Sequence, residues 1–390
     1  MGYDFDRRID RQGTGSTKWK VKRFLAPQAG PEIVPFTMAD MEFANAPEIT
    51  EGLKEYLSEA ILGYTGATED YYEAVQGWMQ RRHGFLPKRE WFLECSGVIP
   101  AIEEMLAAFT KPGEGVLIFT PVYNPFRVCA AHADCFLAES ELIKRGDTYE
   151  IDWADFQEKA ADPRVTLCIL CSPHNPVGRV WRQEELQRVA EICLEQGVFL
   201  IVDEIHHDLI MPGYSFVSAG TLEEKYLENC AVCTAPTKTF NLAALKVSNN
   251  FIPNRERMEA VQKRRGYYSL NALGYQACRL AYSKGEQWLL ELLAYLDKNR
   301  RLVEDFLKAE MPQITVSRLE GTYLQWLDFR QLGLAPKELS KVLVEKAQWI
   351  LDWGTNFGKG GEGFGRLNIA CPRSVLEEAL ERLQKSGVCR

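Results

Sequence analysis

A lysine directly follows an apolar run in the segment TAPTKTFN, residues 234–241, which continues from CAVC. Burying an ammonium group costs free energy unless the charge is paired. Lys238 is therefore either a solvated residue at the rim of the protein or an amine whose reactivity is used. A desolvated lysine is a nucleophile that forms Schiff bases with aldehydes and ketones. The neighbouring polar residues must decide between these two roles.

Three other apolar runs also end at a polar or aromatic side chain. VFLIVD ends on Asp203, VTLCIL is followed by Asn175 in CSPHNPVG, and VLIF is followed by Tyr123 in TPVYNPF. Taken alone, a buried aspartate at a strand end is more often a cap or an ion-pair partner than a ligand. Tyr123 alone would suit ordinary packing. Their repetition at successive strand ends is harder to explain by packing.

A short glycine turn precedes an amphipathic helical segment in ECSGVIPAIEEML. The free backbone N–H groups at the start of a helix, together with the helix dipole, favour an anion. This motif predicts an anion site at Ser96, Gly97 and Val98.

The apolar runs are continuous instead of alternating, which is typical of parallel strands covered on both faces. The segment EELQRVAEICLEQG lies between the runs VTLCIL and VFLIVD. It has apolar residues at helical spacing, with Gly197 as its stop signal. The pattern predicts an α/β fold, with a mainly parallel central sheet and helices on both faces. In such sheets the ligand binds beyond the carboxyl ends of the strands.

The pattern of elements changes after about residue 285. A long helical segment, EQWLLELLAYLDKNRRLVEDFLKAEM, leads into a mixed tail in which YLQWLDF and RLNIA are predicted strands. We expect residues 1–45 to form an arm and part of a small domain, residues 46–285 a large domain, and residues 286–390 a smaller α+β domain.

The composition excludes several classes of protein. With 390 residues, 46% hydrophobic and 26% charged, the chain is typical of an ordinary globular protein. Its net charge of −8 argues against binding to nucleic acid. The start, MGYDFDRRID, lacks the apolar region of a secretory signal, and no apolar run reaches the roughly 20 residues of a membrane helix. The 11 cysteines favour reduced thiols in a cytoplasmic protein.

Three motifs resemble binding sites but favour other interpretations. The pairs Cys168/Cys171 and Cys230/Cys233 lie in strands, where residues three apart point to opposite faces, so we expect core packing and no metal. In DEIHHD the adjacent histidines should diverge, which again predicts no metal site. GKGGEGFG, residues 358–365, lacks the ending of a phosphate loop and is expected to be a mobile loop on the substrate side, or a plain turn.

Pyridoxal phosphate would use the whole set of strand-end residues at once. It requires a lysine for its aldehyde, an acid that keeps the ring nitrogen protonated, an aromatic ring against its face, a donor for its phenolic oxygen and a phosphate cup at a helix start. The order of these groups along the chain therefore predicts this cofactor.

The sequence also resembles the fold-type I pyridoxal-phosphate enzymes of the aspartate aminotransferase superfamily. In particular it resembles the MalY/PatB-type branch, the cystathionine β-lyase-like C–S lyases. The matching stretches span nearly the whole chain in order: FDRRIDRQGTGSTKW, FTMADMEF, GYTG, SGVIPAI, TPVYNPF, CSPHNPVGRVW, VDEIHHDLI, PTKTFNLAALK, GTYLQWLDF and GEGFGRLNIACPR.

The resemblance implies a role for each matching residue. Lys238 would join the cofactor aldehyde and later act as base, Asp203 would pair with the ring nitrogen, and Tyr123 would stack on the ring. Arg366 would grip the substrate α-carboxylate with its planar fork. The remaining expected cofactor contacts are Ser96, Gly97, Val98, Asn175 at the ring oxygen, His206, Thr237, Lys246, and Tyr64 from a second subunit of a homodimer. The substrate is expected to contact Asn175, Asp40 and Tyr64 as well as Arg366.

Two positions depart from the pattern of the superfamily. Ala235 stands where relatives often carry a serine that helps to hold the phosphate, and Lys246 stands where many carry an arginine. Both leave the detailed phosphate contacts open, whereas neither changes the chemistry of the lysine.

Three functions remain open at this stage. The first is β-elimination from L-cystathionine or a related S-substituted cysteine, giving pyruvate, ammonia and a thiol. The second is an aminotransferase, because the same lysine and acid serve both reactions. The third is a regulatory protein that retains the cofactor fold. It is disfavoured because the family pattern begins almost at once, with FDRRID, and leaves no room for a preceding basic DNA-binding domain. The physiological thioether cannot be read from the sequence.

Overall fold

The continuous apolar runs form the strands of a large sheet, and the amphipathic segments between them form its covering helices. The computed structural model describes residues 2–266 and 270–388. The strands are β1 (Phe92–Cys95), β2 (Gly115–Thr120), β3 (Phe136–Glu141), β4 (Ile143–Arg145), β5 (Thr148–Glu150), β6 (Val165–Cys171), β7 (Phe199–Asp203), β8 (Cys230–Thr234), β9 (Ser248–Phe251), β10 (Thr315–Val316), β11 (Leu324–Asp328), β12 (Asp352–Trp353) and β13 (Phe364–Asn368).

The helices alternate with the strands through the first part of the chain and cluster near its end. They are α1 (Thr17–Leu25), α2 (Pro47–Glu59), α3 (Glu69–His83), α4 (Val98–Phe109), α5 (Pro125–His132), α6 (Trp153–Ala160), α7 (Gln183–Glu195), α8 (Glu224–Leu227), α9 (Pro236–Thr239), α10 (Arg255–Arg264), α11 (Ala272–Lys284), α12 (Glu286–Glu310), α13 (Pro336–Val342) and α14 (Arg373–Lys385).

The large sheet has seven strands in the order β1-β9-β8-β7-β6-β2-β3. Every strand except β9 runs in the same direction, because β9 pairs antiparallel with both β1 and β8. The four predicted strands of the middle region are β2, β6, β7 and β8, and the predicted crossover helix is α7. The mainly parallel α/β fold is confirmed.

Helices cover both faces of this sheet and create two separate apolar cores. Cys168 and Cys230 belong to one core, whereas Cys171 and Cys233 belong to the other. The cysteine pairs therefore point to opposite faces, as their spacing in strands predicts. They pack in the cores and do not converge on a common ligand.

A second, smaller sheet is antiparallel throughout, with the order β10-β11-β13-β12. Its strand β13 begins at Phe364 and ends at Asn368, earlier than the predicted RLNIA. The Asn368 side chain accepts a hydrogen bond from the Ala370 N–H at 2.8 Å, which turns the chain out of the sheet. The long predicted helix is α12, and its first residue directly follows Gly285. The three-domain division stays a prediction.

Residues 36–42 of the N-terminal segment bind along the second sheet. The Phe36 carbonyl accepts from the Asn368 N–H at 3.1 Å, and the Glu42 N–H donates to the Ala370 carbonyl at 2.8 Å. This segment also forms one wall of the cleft described below. Across the two described ranges, no helix is long and apolar enough to cross a membrane.

Candidate active site

The carboxyl ends of β2, β6, β7 and β8 open into a cleft of about 1050 Å³, which the second sheet and the N-terminal segment close from the other side. Almost all of the predicted site residues line it. They are Asp40, Ser96, Gly97, Val98, Tyr123, Asn175, Asp203, His206, Thr237, Lys238, Lys246 and Arg366. The structure thus brings together residues that lie more than 300 positions apart.

Lys238 is half-buried in this cleft and is not a solvated rim residue. It lies on α9, the short turn that follows β8, and its Nζ donates a hydrogen bond to the Ala39 carbonyl at 2.7 Å. Burial lowers the pKa of its amine from 10.5 to about 8. A substantial fraction of the amine is therefore neutral, and nucleophilic, near neutral pH.

Asp203 ends β7 and is more deeply buried than Lys238, at 3% exposed. Its Oδ1 accepts a hydrogen bond from the Ile205 N–H at 3.0 Å, which holds the carboxylate in place. Burial raises the pKa of this carboxyl from 3.8 to about 6, although that hydrogen bond and the Lys238 charge act in the opposite direction. A cationic N–H group in the cleft would restore the ionised form.

The predicted anion site lies at the N-terminus of α4. Gly97 occupies the N-cap position with φ of 153°, a conformation that residues with a side chain rarely adopt. Thr237 and Lys246 line the same cleft and supply a hydroxyl and an ammonium group. Ala235 caps α9 and is fully buried, so it brings no hydroxyl to the cleft.

Arg366 lies on β13 and is only 4% exposed, so it is not a surface arginine. One terminal nitrogen donates to Asn175 Oδ1 at 2.7 Å, and the other contacts the Asp352 carboxylate. The guanidinium carbon also lies 5.0 Å from the centre of the Phe357 ring. These contacts orient the planar guanidinium group of Arg366 towards the cleft.

Sequence reasoning missed Asp352 and Phe357. Asp352 accepts hydrogen bonds from both Arg366 and the Met38 N–H, the latter at 2.7 Å. Neither residue belongs to a recognisable motif. Their only sequence signal is a position shortly before the glycine-rich segment 358–365. Gly358 and Gly360 line a depression separate from the cleft, whose own lining includes Phe357 and Arg366. The substrate-side loop and the plain turn both stay predictions.

The adjacent histidines diverge, as predicted. His206 lines the cleft, and its ring lies edge-on to Tyr323 with centres 6.0 Å apart. Its pKa falls well below the usual value, first because of burial and then because of the nearby Lys238 and Arg366 charges. Its buried Nδ1 has no hydrogen-bond partner within the described part of the chain.

His207 points away from the cleft and stacks on His83, with ring centres 4.2 Å apart. Their nitrogens lie close to Asp208, so the three residues could in principle share a metal ion. Asp208 already accepts hydrogen bonds from Trp78 and from Thr239, the latter at 2.8 Å. This buried carboxylate therefore anchors the turn next to Lys238.

Tyr123 and Tyr64 have different positions. The Tyr123 N–H donates to the Asn175 carbonyl at 3.1 Å, and burial raises the pKa of its hydroxyl. Tyr64 does not line the cleft and is 96% exposed. Within one chain, the structure therefore does not bring Tyr64 to the site.

A second group that the sequence analysis missed is Arg11. Its guanidinium binds Asp40 Oδ2 at 2.8 Å and Glu42 Oε1 at 3.0 Å, and Glu42 in turn pairs with the buried Lys18 at 3.0 Å. The stretch FDRRIDRQGTGSTKW contains Arg11 and Lys18, but nothing in it identifies which arginine enters the cleft.

Comparison with known proteins places this cleft in a large family. The family model for aminotransferase class I and II matches residues 32–383. Cystathionine beta-lyase PatB of Bacillus subtilis is 40% identical over 98% of this chain and 99% of its own length. MalY of Escherichia coli is 31% identical over 98% of each chain. Cystalysin from Treponema denticola, whose crystal structure contains pyridoxal 5′-phosphate, is 42% identical over 99% of each chain, with a TM-score of 0.97.

Because Asp203 is buried, we expect the stability of the ligand-free chain to depend on pH. The unfolded state releases this proton near pH 3.8 and the folded state near pH 6, so wild-type stability falls as pH rises through this window. We expect Asp203→Asn to raise the unfolding free energy at pH 8 by about 1–3 kcal/mol, and by roughly half as much at pH 5.

Urea unfolding of the ligand-free chain at both pH values measures this difference. The matched control is Asp305→Asn, an exposed aspartate on α12, which should change stability little at either pH. A stability difference for Asp203→Asn that is the same at pH 5 and pH 8 would contradict the assigned pKa shift.

Proposed function

The chain belongs to the class I and II aminotransferase family, in the branch of PatB and MalY, and from this premise we propose that it is a carbon–sulfur β-lyase. It depends on pyridoxal 5′-phosphate. The proposed reaction cleaves L-cystathionine or a related S-substituted cysteine to pyruvate, ammonia and a thiol. With L-cystathionine the thiol is homocysteine, and one water is consumed.

The observation that carries the proposal is the presence of a half-buried amine and a buried acid in one cleft. Lys238 has a pKa near 8 and suits an aldehyde, and Asp203 gains a partner if a protonated ring nitrogen enters. Asn175 has its oxygen occupied by Arg366, so its Nδ2 can donate to a ring oxygen. The donor set therefore fits the cofactor.

The remaining cofactor contacts follow from position. Tyr123 would cover one face of the ring, and His206, which lines the same cleft, would lie near it. The phosphate would bind at the N-terminus of α4, where backbone N–H groups and the helix dipole favour an anion. Its proposed ligands are Ser96, Gly97, Val98, Thr237 and Lys246.

Side chains of the cleft would bind the substrate and transfer its proton. When bound, the cofactor supplies an electron sink for the bond broken at Cα. Arg366 binds the substrate α-carboxylate with two parallel N–H donors and so directs the Cα–H bond towards Lys238. The Lys238 amine, once free, takes the Cα proton. The sulfur then departs from Cβ with its bonding electrons and is protonated as the thiol.

We also propose that the functional unit is a homodimer. Tyr64 lies in an exposed apolar stretch with Leu57, Ile61 and Leu62, and Ile61 is 92% exposed. Such a patch favours an interface, and a twofold pair is the commonest arrangement. In the dimer, Tyr64 of one subunit would reach the phosphate and substrate of the other. The free cysteines among the described residues support a reducing, cytoplasmic location.

Product analysis tests the proposed reaction. We expect the cofactor-loaded protein to release pyruvate and homocysteine from L-cystathionine without any added 2-oxo acid. Lys238→Ala should fold but lose both this turnover and the visible absorbance of the lysine-bound cofactor, because the covalent attachment and the base are removed together.

Turnover that requires an added 2-oxo acid and forms a new amino acid would instead identify an aminotransferase. Full activity in Lys238→Ala would refute the assigned role of this lysine. An exposed lysine, Lys359→Ala, is the matched control and should keep wild-type turnover.

Arg366→Ala tests carboxylate binding. We expect kcat/KM to fall by an amount equivalent to about 2–5 kcal/mol, since a buried charged contact to the substrate is lost. The control is Arg330→Ala, which removes an arginine that pairs with Asp328 but is 55% exposed. An unchanged kcat/KM for Arg366→Ala would remove this residue from the site.

Mixed dimers test the role of Tyr64. Neither Tyr64→Ala nor Lys238→Ala should be active alone, but refolding them together should restore about a quarter of wild-type activity, because each hybrid has one intact site. Mixing Lys238→Ala with Asp203→Asn is the control and should restore none, since both residues serve the same site of one chain. No recovery in the first mixture would contradict a contribution from the second subunit.

A further inference from the structure

An ion pair lines the cleft that no step above uses. Arg11 and Asp40 form an ion pair at 2.8 Å, and their side chains are 22% and 23% exposed. Both line the same cleft as Lys238 and Arg366. If this part of the cleft bound only the alkyl group of a simple thioether, apolar side chains would bind it more favourably than a charged pair. An alkyl group would remove water from the charges without offering them hydrogen-bond partners, which costs free energy.

The position of Asp40 places this pair next to the reacting groups. The carbonyl of Ala39, its neighbour, accepts the hydrogen bond from Lys238 Nζ. The Asp40 carbonyl accepts at 2.9 Å from Asn368, two residues after Arg366 on β13. Asp40 therefore lies between the base and the proposed carboxylate clamp, and Arg11 extends the charged surface beyond it.

The pair is also held in position from behind. Arg11 donates to the Met41 carbonyl at 3.1 Å and pairs with Glu42, which is itself held by Lys18 and by Trp19 Nε1 at 3.3 Å. Glu42 and Lys18 are buried. Arg11 is therefore anchored on one side by a buried network, while its bond to Asp40 faces the cleft and can exchange for a ligand.

We propose that Arg11 and Asp40 bind the second amino-acid head group of a thioether, with Arg11 on its carboxylate and Asp40 on its ammonium group. A zwitterion carries both charges at the spacing of one carbon atom, so it can replace the mutual contact of the pair with two charge-assisted hydrogen bonds. The preferred substrates are then compounds such as L-cystathionine, in which sulfur joins two amino acids, over S-alkylcysteines.

This inference deepens the proposed lyase function and rests on it for the identity of the reaction. It assigns the leaving group, which the Lys238, Asp203 and Arg366 machinery does not distinguish. Because the proposed head-group site does not touch the bond that breaks, its loss should affect only substrates that carry the second head group.

The test compares L-cystathionine with S-ethyl-L-cysteine, which gives the same pyruvate but lacks the second head group. In Arg11→Gln we expect kcat/KM for L-cystathionine to fall about 10- to 100-fold, with less than about a threefold change for S-ethyl-L-cysteine. Asp40→Asn should shift the ratio in the same direction. The control is Arg8→Gln. Arg8 lies on the same arm as Arg11 and forms an exposed ion pair with Glu378 of α14, so its loss should leave the ratio unchanged.

Binding measurements separate this inference from the reaction itself. Isothermal titration of both ligands into the cofactor-loaded Lys238→Ala chain, with and without Arg11→Gln, requires no turnover. A loss of affinity of about 10-fold or more for L-cystathionine alone supports the site even if wild-type protein releases no pyruvate, an outcome that would refute only the lyase proposal.

Equal losses for both substrates in Arg11→Gln would show that Arg11 only anchors the arm, and this would overturn the inference. A wild-type protein that prefers S-ethyl-L-cysteine, or a Lys238→Ala chain that does not bind L-cystathionine, would overturn it as well.

Discussion

Desolvation of two opposite charges at the end of a parallel sheet is the constraint on which this site depends. Lys238 and Asp203 follow neighbouring strands, and both are removed from water by the second sheet and the N-terminal segment. Their pKa values move towards each other, to about 8 and about 6, since burial outweighs their mutual attraction. The ligand-free site therefore carries an electrostatic cost that a ligand with complementary groups relieves.

The N-terminal segment 38–42 joins the two halves of the site. On one side the Ala39 carbonyl accepts from Lys238, and Asn241 Oδ1 accepts from the Met41 N–H at 3.0 Å. On the other side Asn368 donates to the carbonyls of Met38 and Asp40. Lys238 on α9 and Arg366 on β13 are thus positioned relative to each other by one short segment. Because a small displacement of reacting groups lowers a reaction rate strongly, this segment would set the geometry of the proposed reaction.

The carboxylates in the cleft and directly behind it fall into two kinds. Asp208 is buried with its hydrogen bonds satisfied by Trp78 and Thr239, and so it fixes the backbone behind the site. Asp352 and Asp40, by contrast, pair with arginines at the surface of the cleft and stay partly exposed. Such pairs can exchange a protein partner for a ligand carboxylate or ammonium group without leaving a buried charge unpaired. The first kind supplies rigidity, and the second would supply recognition in the proposed reaction.

The sequence alone determined the central strands β2, β6, β7 and β8, the crossover helix α7, and the residues at those strand ends. Strand and helix periods are local properties, and a polar residue after an apolar run is visible without knowing its neighbours. For this reason Tyr123, Asn175, Asp203 and Lys238 could be predicted together. The opposite faces of the paired cysteines and the divergence of His206 and His207 followed from the same local geometry.

The tertiary structure alone decided how distant groups contact one another in the site. Arg366 and Asn175 lie 191 residues apart, and Lys238 and Ala39 lie 199 apart. Asp352, Phe357 and Arg11 have ordinary local sequences, so no periodicity marks them. Their role comes from the packing of the second sheet and the arm over the first sheet. The pKa shifts also arise only there, because burial is a property of the assembled chain and not of any segment of it.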